Sequence, residues 1–422
     1  MAKKGTFNAA FFNNFASRLH GTPVRFGLLL GQRVEDGLGD VVFAAPTPPQ
    51  PSEEDGAAAI KDVSSLLRSS KGDVSFVDWA VQHAAAVAKL LPAGLEPVGC
   101  FVVASEAVSK DSAPLLVPVV RGIADPLVLS IDPSSRKTSF WQLGATPKPA
   151  LRPAQMKADT FKDNLLLWTV TNIDVMIPHA ISNGADSESA EAFLAEALRT
   201  VEEDLTSRCC SVAGDQSMQV VDFSSEASVS SVSKDTRQLR MSLLRSGTAC
   251  LARPEVEGSV RLRATIISTA LLLRRNVELR SAIARLRQDV ANSAAERLRL
   301  ALEEGSAGKR IDLPWRCLFT PEEMELPVWL GDYCMPDEAH EAARERLGQL
   351  LGMQEEVLEQ APEYLDEQRL LTTKHAGTYG PHAEQEPATK AASSKSQAMP
   401  FLPLACAGIA ALIVAIALPL LR

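Results

Sequence analysis

The chain is short of the signatures by which enzyme chemistry is usually recognised. No GxGxxG run opens a helix, and no GxxxxGK[ST], GxSxG or HExxH occurs. On sequence grounds this leaves no dinucleotide cradle, P-loop, serine nucleophile elbow or helix-borne zinc pair. The glycines of EDGLGD (35–40) lack the third member of a nucleotide fingerprint and sit in a turn. Six histidines, at 20, 83, 179, 340, 375 and 382, form no H-x-H or H-x3-H pair, so no zinc-ligand spacing is present. Seven cysteines (Cys100, Cys209, Cys210, Cys250, Cys317, Cys334 and Cys406) contain no CxxC and no regular framework, the usage of a reducing compartment. Cys209 and Cys210 are adjacent, a spacing that rarely closes a disulfide because of strain. No N-x-[ST] acceptor and no internal repeat occur.

Further absences narrow the class. The N-terminus, MAKKGTFNAAFFNNFASRLHG, does not read as a signal peptide, since Asn8, Asn13 and Asn14 break its apolar stretch. Positive charge is in deficit: 43 Lys and Arg against 52 Asp and Glu give −9, which argues against general nucleic-acid binding. Lys390 and Lys395 are too few to form a lipid-binding basic cluster.

One feature is plainly there. FLPLACAGIAALIVAIALPLL, residues 401–421, is twenty-one residues without a charge, followed only by Arg422. At ~1.5 Å per residue such a helix reaches about 30 Å, the hydrocarbon thickness of a bilayer. Its backbone polar groups satisfy one another, so it can cross lipid alone. Pro403 and Pro419 lie near its ends, where a missing hydrogen bond costs least. The expected lipid-facing residues are Phe401, Leu404, Ile409, Leu412, Ile413, Val414, Ile416, Leu418 and Leu421. The expectation is a tail anchor, with the bulk of the chain cytosolic.

The rest alternates strand and helix patterns, an α/β (α+β) organisation. RFGLLLGQ (25–32) and DVVFAAP (40–46) read as a hairpin, followed by a proline-rich acidic loop at 47–56. A helix is expected at 76–91 with Phe76, Ala80, His83, Val87 and Leu90 on one face, then a buried strand, PVGCFVVAS (97–105). PLVLSID (126–132) and TSFWQL (138–143) form another hairpin, and 165–178 a further strand or two. Residues 187–207 suit an amphipathic helix, 217–223 a short strand, 224–236 a serine-rich loop and 259–273 a strand. The strongest helix is at 275–304, where Leu279, Ile283, Leu286, Val290, Ala294 and Leu298 recur at spacings of three and four. LPWRCLFTP (313–321) and LPVWLGDYC (326–334) read as strands and 337–352 as a last helix. The expected domains are 1–180, 181–355, a flexible linker over 356–400 and the span at 401–421.

Candidate chemistry is sparse. His83 falls on the inward face of its helix, and a catalytic reading pairs it with Cys100 as a dyad. Val98, Gly99, Phe101 and Val102 surround that cysteine, an environment that raises a thiol pKa and leaves it inert. The favoured reading is a satisfied core histidine, with a membrane-tethered hydrolase as the alternative. The arginines of the 275–304 helix interleave with Glu278, Asp289, Glu296, Glu303 and Glu304, the pattern of a solvated face with internal ion pairs. Trp315 and Trp329 lie in strand-like runs and read as core.

Two resemblances follow. VRFGLLLG (24–31), PVGCFVVAS (97–105) and the hairpin VLSIDPSSRKTSFWQLG resemble the JAB/MPN fold of zinc-dependent deubiquitinating proteases. The resemblance puts Val24 at the glutamate position, Val102 and Ala104 at the metal-binding histidines, and Leu115 at the aspartate. Ser112 alone matches. Aliphatic side chains have no lone pairs for zinc, so it implies a metal-free scaffold without catalytic residues or cofactor. The second resemblance spans nearly the whole chain. GLLLGQ, TPPQPSEED, DWAVQHAAAVAKLLPAGLEPVGCFVV, GSVRLRATI, the 275–304 helix, LPWRCLF and the C-terminal span are similar, in order and spacing, to the odorant-response-abnormal protein four family. That resemblance implies a single-pass, tail-anchored protein of the endoplasmic reticulum. It implies two roles, support of multi-pass receptors and tethering of the cysteine protease specific for the ubiquitin-fold modifier, paired as a heterodimer of MPN-like domains.

Overall fold

The computed structural model describes residues 4–19, 25–34, 37–50, 66–68, 70–71, 74–144, 149–177, 187–213, 218–221, 229, 237–244, 260–274, 277–303, 313–321, 326–335, 338–361 and 367. Residues 1–370 form one compact unit, and the second unit, 371–422, lies outside the described residues. The expected span at 401–421, most of the linker and Val24 therefore fall outside them. Among the described residues no helix is long and apolar enough to cross a membrane.

The N-terminus is the first difference from the sequence reading, which assigns it no element. β1 (Lys4–Asn8) runs directly into α1 (Ala9–Arg18). Asn8 ends the strand and caps the helix, its side-chain oxygen accepting from Phe11 N at 3.3 Å. Asn13 and Asn14 are exposed while Phe11, Phe12 and Phe15 are buried. The asparagines that interrupt the apolar run are thus the cap and the wet face of an amphipathic helix. Its phenylalanines contact Phe7, Phe43, Phe101 and Phe140 on the neighbouring sheet.

That sheet contains β1, β2 (Phe26–Gln32), β3 (Gly39–Pro46), β6 (Glu96–Val103), β7 (Leu127–Ile131), β8 (Thr138–Leu143), β9 (Leu151–Pro153) and β10 (Gln155–Asp159). The two-residue strands β4 (Ser70–Lys71) and β5 (Val74–Ser75) pair with each other. The large sheet has the order β10-β1-β3-β2-β6-β7-β8-β9. Its nominal edges, β9 and β10, are separated only by Ala154, whose N–H donates to Phe140 O at 3.0 Å. One extended segment therefore pairs with β8 through its first half and with β1 through its second, and the sheet closes on itself. Closure removes the free edges that otherwise invite pairing with other chains. The expected hairpins β2–β3 and β7–β8 are both antiparallel as read. α2 (Phe76–Leu90) covers part of the sheet, capped by Ser75 Oγ, which accepts from Asp78 N at 3.1 Å. The short helices α3 (Glu106–Asp111) and α4 (Ala113–Leu116) follow β6.

The second sheet has the order β13-β12-β14-β11-β15, from β11 (Leu165–Ile177), β12 (Cys209–Ala213), β13 (Met218–Val221), β14 (Gln238–Leu244) and β15 (Val260–Leu272). β11 is a single long strand, paired antiparallel with β15 from Leu165–Leu272 to Ile177–Val260. Residues 165–177, drawn into the first region by sequence, thus pair within this sheet. α5 (Ser187–Thr206) and α6 (Leu279–Glu303) share its core: Phe193, Val201 and Leu205 meet Ile283, Leu286 and Val290 there. A third sheet, β17-β16-β18, joins β16 (Trp315–Pro321), β17 (Leu330–Cys334) and β18 (Leu358–Gln360), with α7 (His340–Leu351) beside it. Gly352 ends α7 in the left-handed region (φ 63°), where glycine has no Cβ to clash.

β15 is an edge strand, yet its outward groups are occupied from Ile267 to Leu273. Ile267 N donates to Glu367 Oε1 (2.6 Å), Thr269 N to Asp289 Oδ2 (3.1 Å), Leu271 N to Ala93 O (2.9 Å) and Leu273 N to Gln32 Oε1 (3.4 Å). Thr269 O accepts from Ala93 N, and Leu271 O accepts from Gln32 Nε2. Side chains and a loop from β2, α6 and the C-terminal segment replace a neighbouring strand. This corrects the linker boundary. Residues 358–360 are a strand on β16, and Glu367 is fully buried against Arg297. The polar composition that suggests solvent is here a charge neutralised inside the fold.

Candidate functional site

A cleft of about 610 Å³ lies where the α2–β6 loop meets α5 and α6, a volume within the range of small-molecule sites. Leu91, Ala93 and Leu95 line one side, Leu194 and Leu198 of α5 another. Gln288 and Asn292, exposed on successive turns of α6, bond to each other at 2.9 Å. Local sequence explains the shape. LPAGLEP (91–97) carries proline and Gly94 at φ 89°, which turns the chain sharply after α2.

The floor is ionic. Arg316, about 1% exposed at its side chain, donates from Nη1 to Asp289 Oδ2 at 2.9 Å. Asp289 also accepts from Ser268 Oγ and from Thr269 N. Burial pulls the Arg316 pKa down, but Asp289 and its neighbours hold it above the ordinary arginine value, so the guanidinium stays charged. Behind it, Tyr333 Oη donates to Ser293 Oγ at 3.1 Å, and burial raises the phenol pKa. At the rim Glu296 meets Lys89 (3.1 Å) and Arg299 (2.6 Å). Burial alone would raise the Glu296 pKa; the two cations overcome it and hold the carboxylate below its usual range. Buried charges of this kind persist only when paired and hydrogen-bonded.

Sequence reasoning missed this floor. The sequence pattern of the arginine-rich helix is that of a solvated face, and Arg280–Glu278 and Arg299–Glu303 do fit it. Arg297 does not: it is buried, bonded to Ser293, Pro314 O and Glu367. The available signal was the polar row Asp289, Ser293, Arg297 at spacings of four, running beside the apolar stripe on one helix.

The predicted chemistry is not assembled. His83 is buried on the inward face of α2, as expected. Its Nε2 lies 2.7 Å from Leu350 O, an acceptor only, so Nε2 carries the hydrogen; Nδ1 lies 3.2 Å from Thr47 Oγ1 and accepts from it. Both ring nitrogens are thus engaged away from Cys100. Burial pushes the Cys100 thiol up to about 12, within an apolar cluster with Phe26, Phe76, Val102 and Val128. Val102 and Ala104 sit in the same cluster, and Leu115 packs against it. Ser112 is buried beside them, and Ser109 Oγ and Ser130 Oγ bond at 2.7 Å nearby. Cys209 is exposed; burial raises the Cys210 thiol to about 11. Trp315 and Trp329 are core, as read. Among the described residues no group of three or more His, Cys, Asp or Glu side chains could hold a metal ion.

With the geometry in place, comparison with known proteins is informative. The sequence model of the ODR4-like family, odorant response abnormal 4-like, matches residues 27–360. Protein odr-4 homolog of Mus musculus is 25% identical over 367 residues, covering 79% of each chain. Its Homo sapiens counterpart is 24% identical over 377 residues, again covering 79% of each. Among solved structures, the crystal structure of UfSP from C. elegans superposes with a TM-score of 0.43 and 11% identity over 82% of this chain; this chain spans only 56% of that one.

Proposed function

The chain belongs to the ODR4-like family, and from that premise we propose that it is a non-enzymatic, membrane-anchored adaptor. The reading is that the α/β body is an MPN-like scaffold without metal ligands. Residues 401–421 hold it in the endoplasmic reticulum membrane, single-pass, with the body in the cytosol. There it tethers the cysteine protease specific for the ubiquitin-fold modifier through paired MPN-like domains, and supports multi-pass receptors. Tethering raises a partner's local concentration at the membrane without any bond being made or broken by the tether.

One observation carries the non-enzymatic part: the best candidate base and nucleophile already have structural jobs. His83 bridges Thr47 and the carbonyl of Leu350, and the Cys100 thiol is held protonated in an apolar cluster. A nucleophilic cysteine needs the opposite, a depressed pKa beside a base. The apolar packing of Val102 and Ala104 supports the same reading at the positions where the resemblance would put metal ligands.

The test uses full-length chain in cells. It should resist alkaline carbonate extraction, and deletion of 401–421 should release it. Precipitation of the full chain should recover the modifier-specific protease. A soluble full-length chain, or precipitates that never contain the protease, would sink the corresponding half of the proposal.

A further inference from the structure

Where α2, α7 and the segment after β3 meet, one buried histidine is bonded to two other elements at once. His83 of α2 is 4% exposed. Its Nε2 donates to Leu350 O near the end of α7 (2.7 Å), and its Nδ1 accepts from Thr47 Oγ1 (3.2 Å). Thr47 begins a proline-containing strap, residues 47–50, whose Pro48 carbonyl accepts from Trp79 Nε1 at 2.9 Å one turn earlier on α2. The end of α7 lies tight against the start of that strap: a Cβ on Gly352 would sit 2.8 Å from the Pro46 ring. Both ring bonds need the neutral imidazole in one tautomer. A second proton turns Nδ1 into a donor, so the Thr47 hydroxyl loses its acceptor, and it leaves a full charge in a dry site. The charged and titratable groups on the surrounding elements are engaged elsewhere. On α2, Asp78 bonds Ser75 and Lys89 bonds Glu296. On α7, Arg346 bonds Asp332 and Glu338, Glu345 bonds Gln349 and His340 bonds Gln360, while Glu341 and Arg344 lie more than a turn before Leu350. On β17, Asp332 belongs to the Arg346 group and Tyr333 bonds Ser293. On β3 and β6, Asp40 bonds Arg274, Glu96 bonds Arg33, and burial keeps the Cys100 thiol neutral. Glu355 and Glu356 are exposed in the turn after α7. Burial accordingly holds the His83 pKa below its ordinary value, against the smaller opposing effect of the Leu350 carbonyl.

We propose that this junction is a proton-operated latch: neutral His83 holds the strap and the end of α7 on α2, and protonated His83 releases them while the rest of the fold stays closed. Release enlarges the adjoining groove of about 430 Å³, lined by Phe11, Phe15, Pro46, Leu351, Gly352 and Met353. The open form takes up the proton at the ordinary imidazole value near 6.5. The latch is therefore shut at pH 7.5, and its opening equilibrium rises below pH 6.5, by at most about tenfold per pH unit. It is a local device and does not depend on the adaptor reading.

The test is hydrogen exchange of the full-length chain in dodecylmaltoside, read by mass spectrometry as protection factors between pH 7.5 and 5.5. The reporters are the amides of Thr47, which donates to Phe26 O, and of Gly352 and Met353, which donate to Gly348 O. They should open more readily than the paired amides of β11 and β15 at every pH, as a local opening requires. Their protection should fall about three- to fivefold between pH 6.5 and 5.5. In His83→Gln, whose carboxamide can donate to Leu350 O and accept from Thr47 without titrating, that fall should vanish. Gly352→Ala should lower the protection of Thr47 and Met353 already at pH 7.5, because the added methyl pushes α7 off Pro46 and the left-handed φ of 63° disfavours it. Protection that stays level across this range, or that falls equally in His83→Gln, would overturn the latch. So would reporters no less protected than β11 and β15, which would make the opening global, or a Gly352→Ala chain as protected as the parent. Should His83→Gln not fold, Thr47→Val answers the same question: with no hydroxyl bonded to Nδ1 the amides should open at higher pH, and an unchanged pH profile overturns the proposal.

Discussion

Substituting Glu367 by alanine tests how the C-terminal segment is held. Its carboxylate is 0% exposed and accepts from Ile267 N (2.6 Å), Arg316 N (2.8 Å) and Arg297 Nη2 (2.7 Å). It therefore joins the edge of the second sheet, the first residues of the third and the middle of α6. Glu367→Ala leaves the Arg297 guanidinium, 2% exposed at its side chain, with Ser293, Pro314 O and the face of the Tyr333 ring but no counter-charge bonded to it. Removing one partner of a buried ion pair costs about 3–5 kcal/mol, because the other charge stays desolvated. Two backbone N–H groups also lose their acceptor, at about 1–3 kcal/mol each if no water reaches them. These effects share one site and do not add, so the expected loss is roughly 4 kcal/mol. That is a large part of a typical 5–15 kcal/mol of stability. Urea unfolding of full-length chain, followed by tryptophan fluorescence, measures it. The double variant Glu367→Leu with Arg297→Met removes both charges and should recover at least half of the loss, since apolar replacement of a buried pair is often neutral. A Glu367→Ala midpoint within about 1 kcal/mol of the parent would refute the reasoning, as would a double variant no better than the single.

Three further outcomes are expected. Burial lowers the folded-state pKa of His83, so the unfolded chain binds the extra proton first. Stability is full above the unfolded value near 6.5 and falls as pH drops toward the folded pKa, by at most about 1.4 kcal/mol per pH unit; urea midpoints at pH 7.5 and 5.5 should diverge in the parent and much less in His83→Gln. Iodoacetamide near neutral pH should label exposed Cys209 before the buried Cys100, Cys317 and Cys334, which should stay unmodified until denaturant is added; mass spectrometry of the digests reads the order. Gly99→Ala would place a methyl 1.9 Å from Leu127 O across the β6–β7 pairing, and the strands must part, lowering stability by about 2–3 kcal/mol in the same urea assay.

Much of the architecture was legible because period and burial agree. The faces of α2 and α6 and the hairpins β2–β3 and β7–β8 follow from apolar spacing alone. What escaped was set by partners distant in sequence. Nothing local shows that Gln32 will cap Leu271 and Leu273, or that Glu367 will reach Ile267, since each bond spans a hundred residues or more. Ala154 escaped for a related reason: closure of the first sheet depends on which strands flank β9 and β10, which composition does not encode. The inward placement of His83 and the apolar surroundings of Cys100 were readable from helix phase and neighbouring residues. The ionic floor was not, because a buried arginine and a solvated one look alike until their partners are placed.

Those distant bonds bear on the adaptor reading. A tether transmits position only if its body does not come apart between the anchor side and the binding side. Here the edge strand of the second sheet is bonded to the first sheet through Gln32 and Ala93, to α6 through Asp289, and to the C-terminal segment through Glu367. Glu367 also bonds Arg316 N, on the strand whose side chain floors the cleft. Glu367 is thus joined through one side chain both to the edge of the second sheet and to the strand that carries Arg316. Hydrogen bonds to charged groups are about twice as strong as neutral ones and directional. A carboxylate there fixes both distance and orientation, which a leucine of similar size would not do. The ion pair is therefore better explained by the fixed geometry it gives β15, the start of β16 and α6 than by stability, to which an apolar pair would contribute as much.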